Sequence, residues 1–303
     1  MKLLIIKNDG FGDFILVKNL IKNINKKYYD IDIVISKNNE ILTKDIENIK
    51  NKIVFDYYGP NFSYNNKISG KDKLKLSNLK KKKYDLCIVL RRYLNDEQVL
   101  ILNEINAKSI ILCHEFFSSR EPLKCNFKKV KISKNLLNDY DYFNTFLKKI
   151  NLIKKEKIKI SSKLLSSKNY LVLNLSGERQ FKNIENLKLL INIIKKNYNK
   201  KTYIIGKTLN NEMNIKINNL LRKINSKKLI NLWSKSNFSS SMNLINHADY
   251  YIGFNTGLSH YASMINIKSL IILDSGGNNK WFPYPESMKK NISYWTYNTP
   301  CAG

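Results

Sequence analysis

The sequence predicts an α/β protein of two doubly wound domains, on three observations. Short, unbroken Ile/Leu/Val runs recur from end to end, the pattern of strands buried on both faces in parallel sheets. Longer amphipathic stretches separate them, as strand–helix alternation requires. A polar, Lys-rich segment from Lys154 to Lys168 then interrupts the pattern near its midpoint. The expected domains are residues 1–153 and 154–303, and 303 residues suffice for two cores. Ligands in such folds lie beyond the carboxyl ends of the strands, so a cleft between the two sheets is the expected site.

In the first half, strands are expected at Lys2–Lys7, Ile31–Ser36, Lys52–Tyr57, Tyr84–Leu90 and Lys108–Cys113. Helix-period segments run from Phe14 to Asn25 and from Asn95 to Ile105, and an amphipathic helix covers Asp139–Leu152 before the connection. The second half starts again with strands at Tyr170–Leu175, Lys201–Gly206, Lys228–Leu232, Asp249–Phe254 and Lys268–Asp274. Helices are expected between them at Ile184–Lys196, Asn211–Ile224 and Ser239–His247.

Composition narrows the function classes. The formal net charge is +29, but the lysines are spread evenly and form no basic stripe. With no helix-turn-helix, RRM or zinc signature, a nucleic-acid binder is the weaker reading. Cys87, Cys113, Cys125 and Cys301 lack paired metal spacing, and two of them fall inside apolar runs, which suits a reduced cytosol. The N-terminus has four consecutive apolar residues before a polar turn, too few for a signal-peptide core. No apolar run approaches a membrane span, so a soluble, cytoplasmic protein with at most peripheral contact to the inner membrane is expected. The Asp139-Tyr140-Asp141 pattern opens a helix, where acids suit the dipole, so no metal is expected.

Three loops carry candidate chemistry. Asn8–Asp13 links the first strand to a helix, with Gly10 and Gly12 allowing a tight turn and close approach. A dinucleotide fingerprint would need glycine where Ile15 stands, and a P-loop would need Lys-Ser/Thr. Asp13 is then either a helix N-cap or a carboxylate able to take a proton from a hydroxyl. The second loop, Ser176 to Lys182, brackets a helix start with Arg179 and Lys182, either an anion cradle or solvated charges. The third, Asn255-Thr256-Gly257, opens a helix carrying His260, and the helix dipole favours an anion there.

The third loop carries a resemblance. "DYYIGFNTGLSHYASMINIKSLIIL" resembles the nucleotide-sugar loop of glycosyltransferase family 9, the bacterial lipopolysaccharide heptosyltransferases. Thr256, Gly257, Leu258, His260 and Ala262 match that family's Asp-Ser/Thr-Gly-Pro/Leu-x-His-x-Ala pattern in order, with Asn255 where the family has Asp. "LLIIKNDGFGDFIL" is similar to its opening strand and Leu-Gly-Asp turn, which implies that Asp13 is the catalytic base. "YDLCIVLRRYLNDEQ" resembles its fourth-strand turn, "NLSGERQFK" the turn whose lysine contacts donor phosphates, and "IIGKTLNNE" the strand presenting a Glu near the donor. The family's pattern continues past the point where this sequence ends at Gly303.

The resemblance implies a GT-B fold of two Rossmann-like domains with a ligand cleft between them. It implies an inverting glycosyltransferase that moves heptose from a nucleotide-diphosphate donor, ADP-heptose, to a bacterial surface glycan such as lipopolysaccharide core. Ser176, Gly177, Arg179, Lys182, Glu212, Asn255, Thr256, Gly257, Leu258 and His260 are the candidate donor contacts, His260 being either under the diphosphate or part of the local packing. Gly12, Arg91 and Arg92 are candidate contacts for an anionic acceptor, the arginines being otherwise a solvated turn. A noncatalytic nucleotide-sugar binder is the alternative that Asn255 keeps open.

Overall fold

A computed structural model describes residues 1–56, 68–133, 138–153, 168–177, 184–208, 210–224, 226–273, 282 and 284–296. The chain divides into two compact units, Met1–Ile158 and Lys159–Gly303.

Unit 1 begins with β1 (Lys2–Lys7), α1 (Phe11–Lys22), β2 (Asp30–Ser36), a 3-10 helix (Lys37–Thr43) and β3 (Ile49–Phe55). It continues through α2 (Gly70–Lys81), β4 (Lys83–Val89), β5 (Tyr93–Leu94), α3 (Asp96–Glu104), β6 (Asn106–Leu112), β7 (Phe116–Phe117), β8 (Lys128–Lys129) and α4 (Asp139–Lys149). Unit 2 holds β9 (Tyr170–Asn174), α5 (Ile184–Asn197), β10 (Lys201–Ile205), α6 (Asn211–Lys223), β11 (Leu229–Asn231) and α7 (Phe238–His247). It ends with β12 (Tyr250–Phe254), α8 (Gly257–Met264), β13 (Lys268–Leu273), α9 (Glu286–Lys289) and β14 (Ile292–Thr296).

Each unit has one six-stranded sheet, ordered β3-β2-β1-β4-β6-β8 in unit 1 and β11-β10-β9-β12-β13-β14 in unit 2. All the pairings described within the two sheets are parallel. The apolar runs follow from that arrangement. Leu3, Leu4, Ile5 and Ile6 of β1 have no exposed surface because the sheet is covered on both faces. Leu76 and Leu79 of α2 share one core with Leu4, Phe55, Leu100 and Ile110. Leu187 and Ile191 of α5 pack with Ile217 and Leu221 of α6 around Leu173 and Trp233. Cys87 and Cys113 are buried, consistent with their apolar surroundings.

The sheet orders fix where a ligand would enter. Strand order reverses between β1 and β4 in unit 1, and between β9 and β12 in unit 2. The loops leaving such neighbours diverge to opposite faces and open a crevice at the carboxyl edge. The first loop of interest leaves β1. The other two leave β9 and β12.

Several elements differ from expectation, among them the short strands β5, β7 and β8. α1 starts at Phe11, not Phe14, so Gly12 and Asp13 are helical and Gly10 is the N-cap. α2 forms in a Lys-rich stretch whose buried apolar residues are only Leu76 and Leu79; Ser69 caps it by accepting the Asp72 N–H at 3.1 Å. β14 adds a further parallel strand beside β13. Among the described residues, no helix is long and apolar enough to cross a membrane.

Candidate functional site

In unit 1 the crevice between β1 and β4 is lined by charge. Asp13 occupies the third position of α1, where its carboxylate suits the helix dipole. It is not the N-cap: Gly10 is, with extended backbone and no side-chain cap bond. A Cβ on Gly10 would stand 3.0 Å from Asp13 Oδ2, so the carboxylate folds back over the glycine. Glycine is needed at position 10 for that space; its φ is −64°. Gly12 lies within the helix, where no unusual backbone is called for.

Beneath Asp13 lies a polar cluster built on Lys7, Asn8 and Asp9. Lys7 Nζ donates to Asp9 Oδ2 at 2.7 Å and to the Leu90 carbonyl at 2.8 Å. The Asp9 carbonyl accepts from Ser36 Oγ (3.0 Å) and Asn39 Nδ2 (2.9 Å). Asn8 Nδ2 donates to Glu97 Oε1 at 2.6 Å, while Gln98 Nε2 donates to Asn8 Oδ1 at 2.8 Å. Burial raises the Asp9 carboxyl against the pull of Lys7 and Arg91, and Asp13 adds to the rise.

The two arginines behave differently from a solvated turn. Arg91 is 4% exposed, with its guanidinium 4.2 Å from the centre of the Tyr93 ring. Burial opposes its charge, but Asp9, Tyr93 and Asp13 outweigh that and hold it cationic. Arg91 therefore faces the Asp9–Asp13 cluster. Arg92 is occupied elsewhere: its Nε lies 2.8 Å from Asp139 Oδ1 and its guanidinium 4.5 Å from the centre of the Tyr142 ring. That ion pair ties the β4 turn to the start of α4. It also engages the first carboxylate of the Asp-x-Asp pattern.

In unit 2 the Asn255–Gly257 loop is held from beneath by a buried network. Tyr251 is fully buried, and its hydroxyl lies 2.9 Å from both Asn174 Nδ2 and Ser259 Oγ. Asn174, the last residue of β9, also donates to Thr256 Oγ1 at 3.0 Å and accepts the Ser176 N–H at 3.0 Å. Ser259 donates to the Phe254 carbonyl. These contacts span the switch point and fix Thr256 as N-cap of α8. Thr256 makes no side-chain cap bond, and a helix N-terminus of this kind suits an anion.

Two glycines make this packing possible. Gly253 sits where a Cβ would strike the Tyr251 ring. Gly206, at the end of β10, has φ +126°, and a Cβ there would lie 2.8 Å from Ser176 N, Ser176 Oγ and the Trp233 ring. Gly177 adopts φ +129° beside it. The β9 and β10 turns are thus packed backbone to backbone.

No family model matches the sequence, and no curated protein matches it. Solved structures do. The family 9 glycosyltransferase from Veillonella parvula superposes with TM-score 0.73 at 14% identity, over 98% of this chain and 86% of that one. E. coli heptosyltransferase WaaC with ADP gives 0.71 at 16% identity, over 98% and 94%. E. coli ADP-heptose lps heptosyltransferase II gives 0.60 at 12% identity, over 97% and 90%. The fold is that of glycosyltransferase family 9.

On this family 9 fold the expected residues separate into groups. Asp13, with Gly12 beside it, and Arg91 gather at the unit 1 switch point. Ser176, Gly177, Asn255, Thr256, Gly257 and Leu258 gather at the unit 2 switch point. His260 is 3% exposed, its Nδ1 bonded to the Tyr284 hydroxyl and its ring 5.6 Å from that of Phe282. Of its two roles, these contacts are those of local packing. Glu212 is exposed in the first turn of α6, where it pairs with Lys216 at 2.5 Å. Arg179 and Lys182 lie outside the described residues. Among the described residues, no group of three acids, histidines or cysteines could hold a metal.

Asn8, Glu97, Gln98, Asn174, Tyr251 and Ser259 escaped sequence reading as site residues. A faint signal was present: Asn174 ends an otherwise apolar strand, and Asn95 and Gln98 stand at capping-box spacing at the start of α3.

Proposed function

We propose that the protein is an inverting glycosyltransferase using a nucleotide-diphosphate sugar, with Asp13 as general base. The observation that carries the reading is the Asp13 carboxylate at one switch point, matched by an open helix N-terminus at the other. In this reading unit 2 binds the donor. The α8 amides and Thr256 receive its diphosphate, with Arg179 and Lys182 from the β9 turn. Asp13 takes the proton of an acceptor hydroxyl, whose oxygen attacks the anomeric carbon from the face opposite the leaving group. The new glycosidic bond forms as the sugar–diphosphate bond breaks, and the departing charge is stabilised by amides and cations in place of a metal. Heptose from an ADP donor is the proposed sugar, supported by the fold shared with WaaC. The proposed acceptor is an anionic bacterial surface glycan such as lipopolysaccharide core, met at the cytoplasmic face of the inner membrane. The charge of +29 suits both an anionic acceptor and a peripheral, salt-sensitive membrane contact.

The test is turnover of nucleotide sugars by wild type and by Asp13→Asn, with and without EDTA. Asn cannot accept the hydroxyl proton but keeps the shape, so the variant is expected to fold, to bind donor nucleotide, and to lose about 10²–10⁴-fold in turnover. Near-normal transfer by folded Asp13→Asn would move the base elsewhere. Nucleotide binding without turnover in wild type would instead favour a noncatalytic binder.

A further inference from the structure

The Asp13 loop has an unusual foundation. α1 begins without a side-chain cap, because its N-cap is Gly10. The turn that leads into it is held through Asn8 and Asp9. The Asn8 amide is engaged at both ends, donating to Glu97 and accepting from Gln98. All three residues are 2% exposed or less. Glu97 and Gln98 lie in the first turn of α3, which follows β4 and the short β5, so this clip crosses the crevice at the switch point. Gln98 is fixed in turn by a capping box with Asn95. From the opposite side, Ser36 and Asn39 grip the Asp9 carbonyl.

We propose that Glu97 is a positioning residue, which through its hydrogen bond to Asn8 fixes the Asn8–Asp13 turn and so sets where the Asp13 carboxylate stands. The role rests on the reading of Asp13 as a base; Glu97 itself touches no reacting atom. A buried carboxyl is an expensive way to fill space, since an apolar pair of the same volume would avoid its desolvation. What it supplies is an acceptor for the Asn8 amide at one defined place. Burial pushes Glu97 up to about 8, against the opposing effects of Arg91 and the Asn8 hydrogen bond, while Asp9 and Asp72 add to the rise. Near neutral pH it therefore acts as a neutral acceptor, a part that glutamine can also play.

The experiment compares Glu97→Gln, Glu97→Ala and Asn8→Ala in the full chain by two readouts. The first is amide hydrogen exchange of the peptide spanning Asn8–Phe14, which needs no substrate. The second is kcat and donor KM. Glu97→Ala and Asn8→Ala should speed exchange in that peptide by about tenfold or more, while peptides of unit 2 stay unchanged. They should lower kcat by about 10–10²-fold at unchanged donor KM, as expected for a base displaced by about 1 Å. Glu97→Gln should keep both readouts near wild type. Unchanged exchange in Glu97→Ala, or a loss in Glu97→Gln as large as in Glu97→Ala, overturns the proposal. If Glu97→Ala does not fold, Asn8→Ala carries the same comparison, since it leaves α3 untouched. A wild type that turns over no nucleotide sugar would fail the functional reading, and the exchange readout would still decide whether the clip holds the turn.

Discussion

Replacing Tyr251 by Phe removes one oxygen atom from the centre of unit 2. That oxygen lies 2.9 Å from Asn174 Nδ2 and 2.9 Å from Ser259 Oγ, and the residue has no exposed surface. Each net hydrogen bond contributes about 0.5–1.5 kcal/mol, so two give about 1–3 kcal/mol. No orphan penalty should be added. Asn174 keeps Thr256 Oγ1 as its partner, and Ser259 keeps the Phe254 carbonyl. At about 2–4 °C per kcal/mol, thermal unfolding of unit 2 should fall by roughly 2–12 °C. Asn174→Ala should cost more, because it also strips the Ser176 N–H of its acceptor. The loop that loses support presents the α8 amides, so nucleotide affinity, read by calorimetry, should fall in both variants. A Tyr251→Phe protein that melts and binds nucleotide like wild type would refute the idea that this network holds the loop.

Gly206→Ala should destabilise unit 2 by about 3 kcal/mol in denaturant unfolding, because φ +126° and three contacts at 2.8 Å leave no place for a methyl group. Arg92→Ala should likewise lower stability by about 3 kcal/mol, since Asp139 would remain buried without its cation, and it should leave acceptor KM nearly unchanged. Glu97 should also make stability depend on pH. Its folded value of about 8 exceeds the ordinary 4.5, so the folded state holds the extra proton between those limits. Stability contributed at this position is then highest below about pH 4.5 and declines as pH rises to about 8, by at most roughly 1.4 kcal/mol per pH unit. Wild type should lose stability relative to Glu97→Gln across that window, and parallel pH profiles of the two would refute it.

Both switch points are closed by the same kind of group. Asn8 follows β1 and reaches α3; Asn174 ends β9 and reaches β12 and the cap of α8. A side-chain amide suits the place because it donates and accepts at once, bridging neighbouring strands whose loops diverge. In each unit the bridge lies under a residue proposed to act on substrate.

Periodicity alone identified five of the six strands in each sheet, missing the edge strands β8 and β14, because a strand covered on two faces must be apolar throughout, and β1 was legible to its end residues. It also identified α5, α6 and α7, whose apolar stripes repeat at the helical period. It could not see α2, where two buried leucines in twelve residues barely mark a face, nor that α1 begins at Phe11, which removes the cap from Asp13's two readings and makes it a third-position carboxylate. Gly206 and Gly253 read as ordinary glycines until Trp233, Ser176 and Tyr251 were packed around them. Local pattern reports how a residue stands to its neighbours within a few positions, which is enough for strands, helices and turns. Asn8 meets Glu97 across 89 residues and Asn174 meets Tyr251 across 77, contacts set by strand order and visible only once the sheets are assembled.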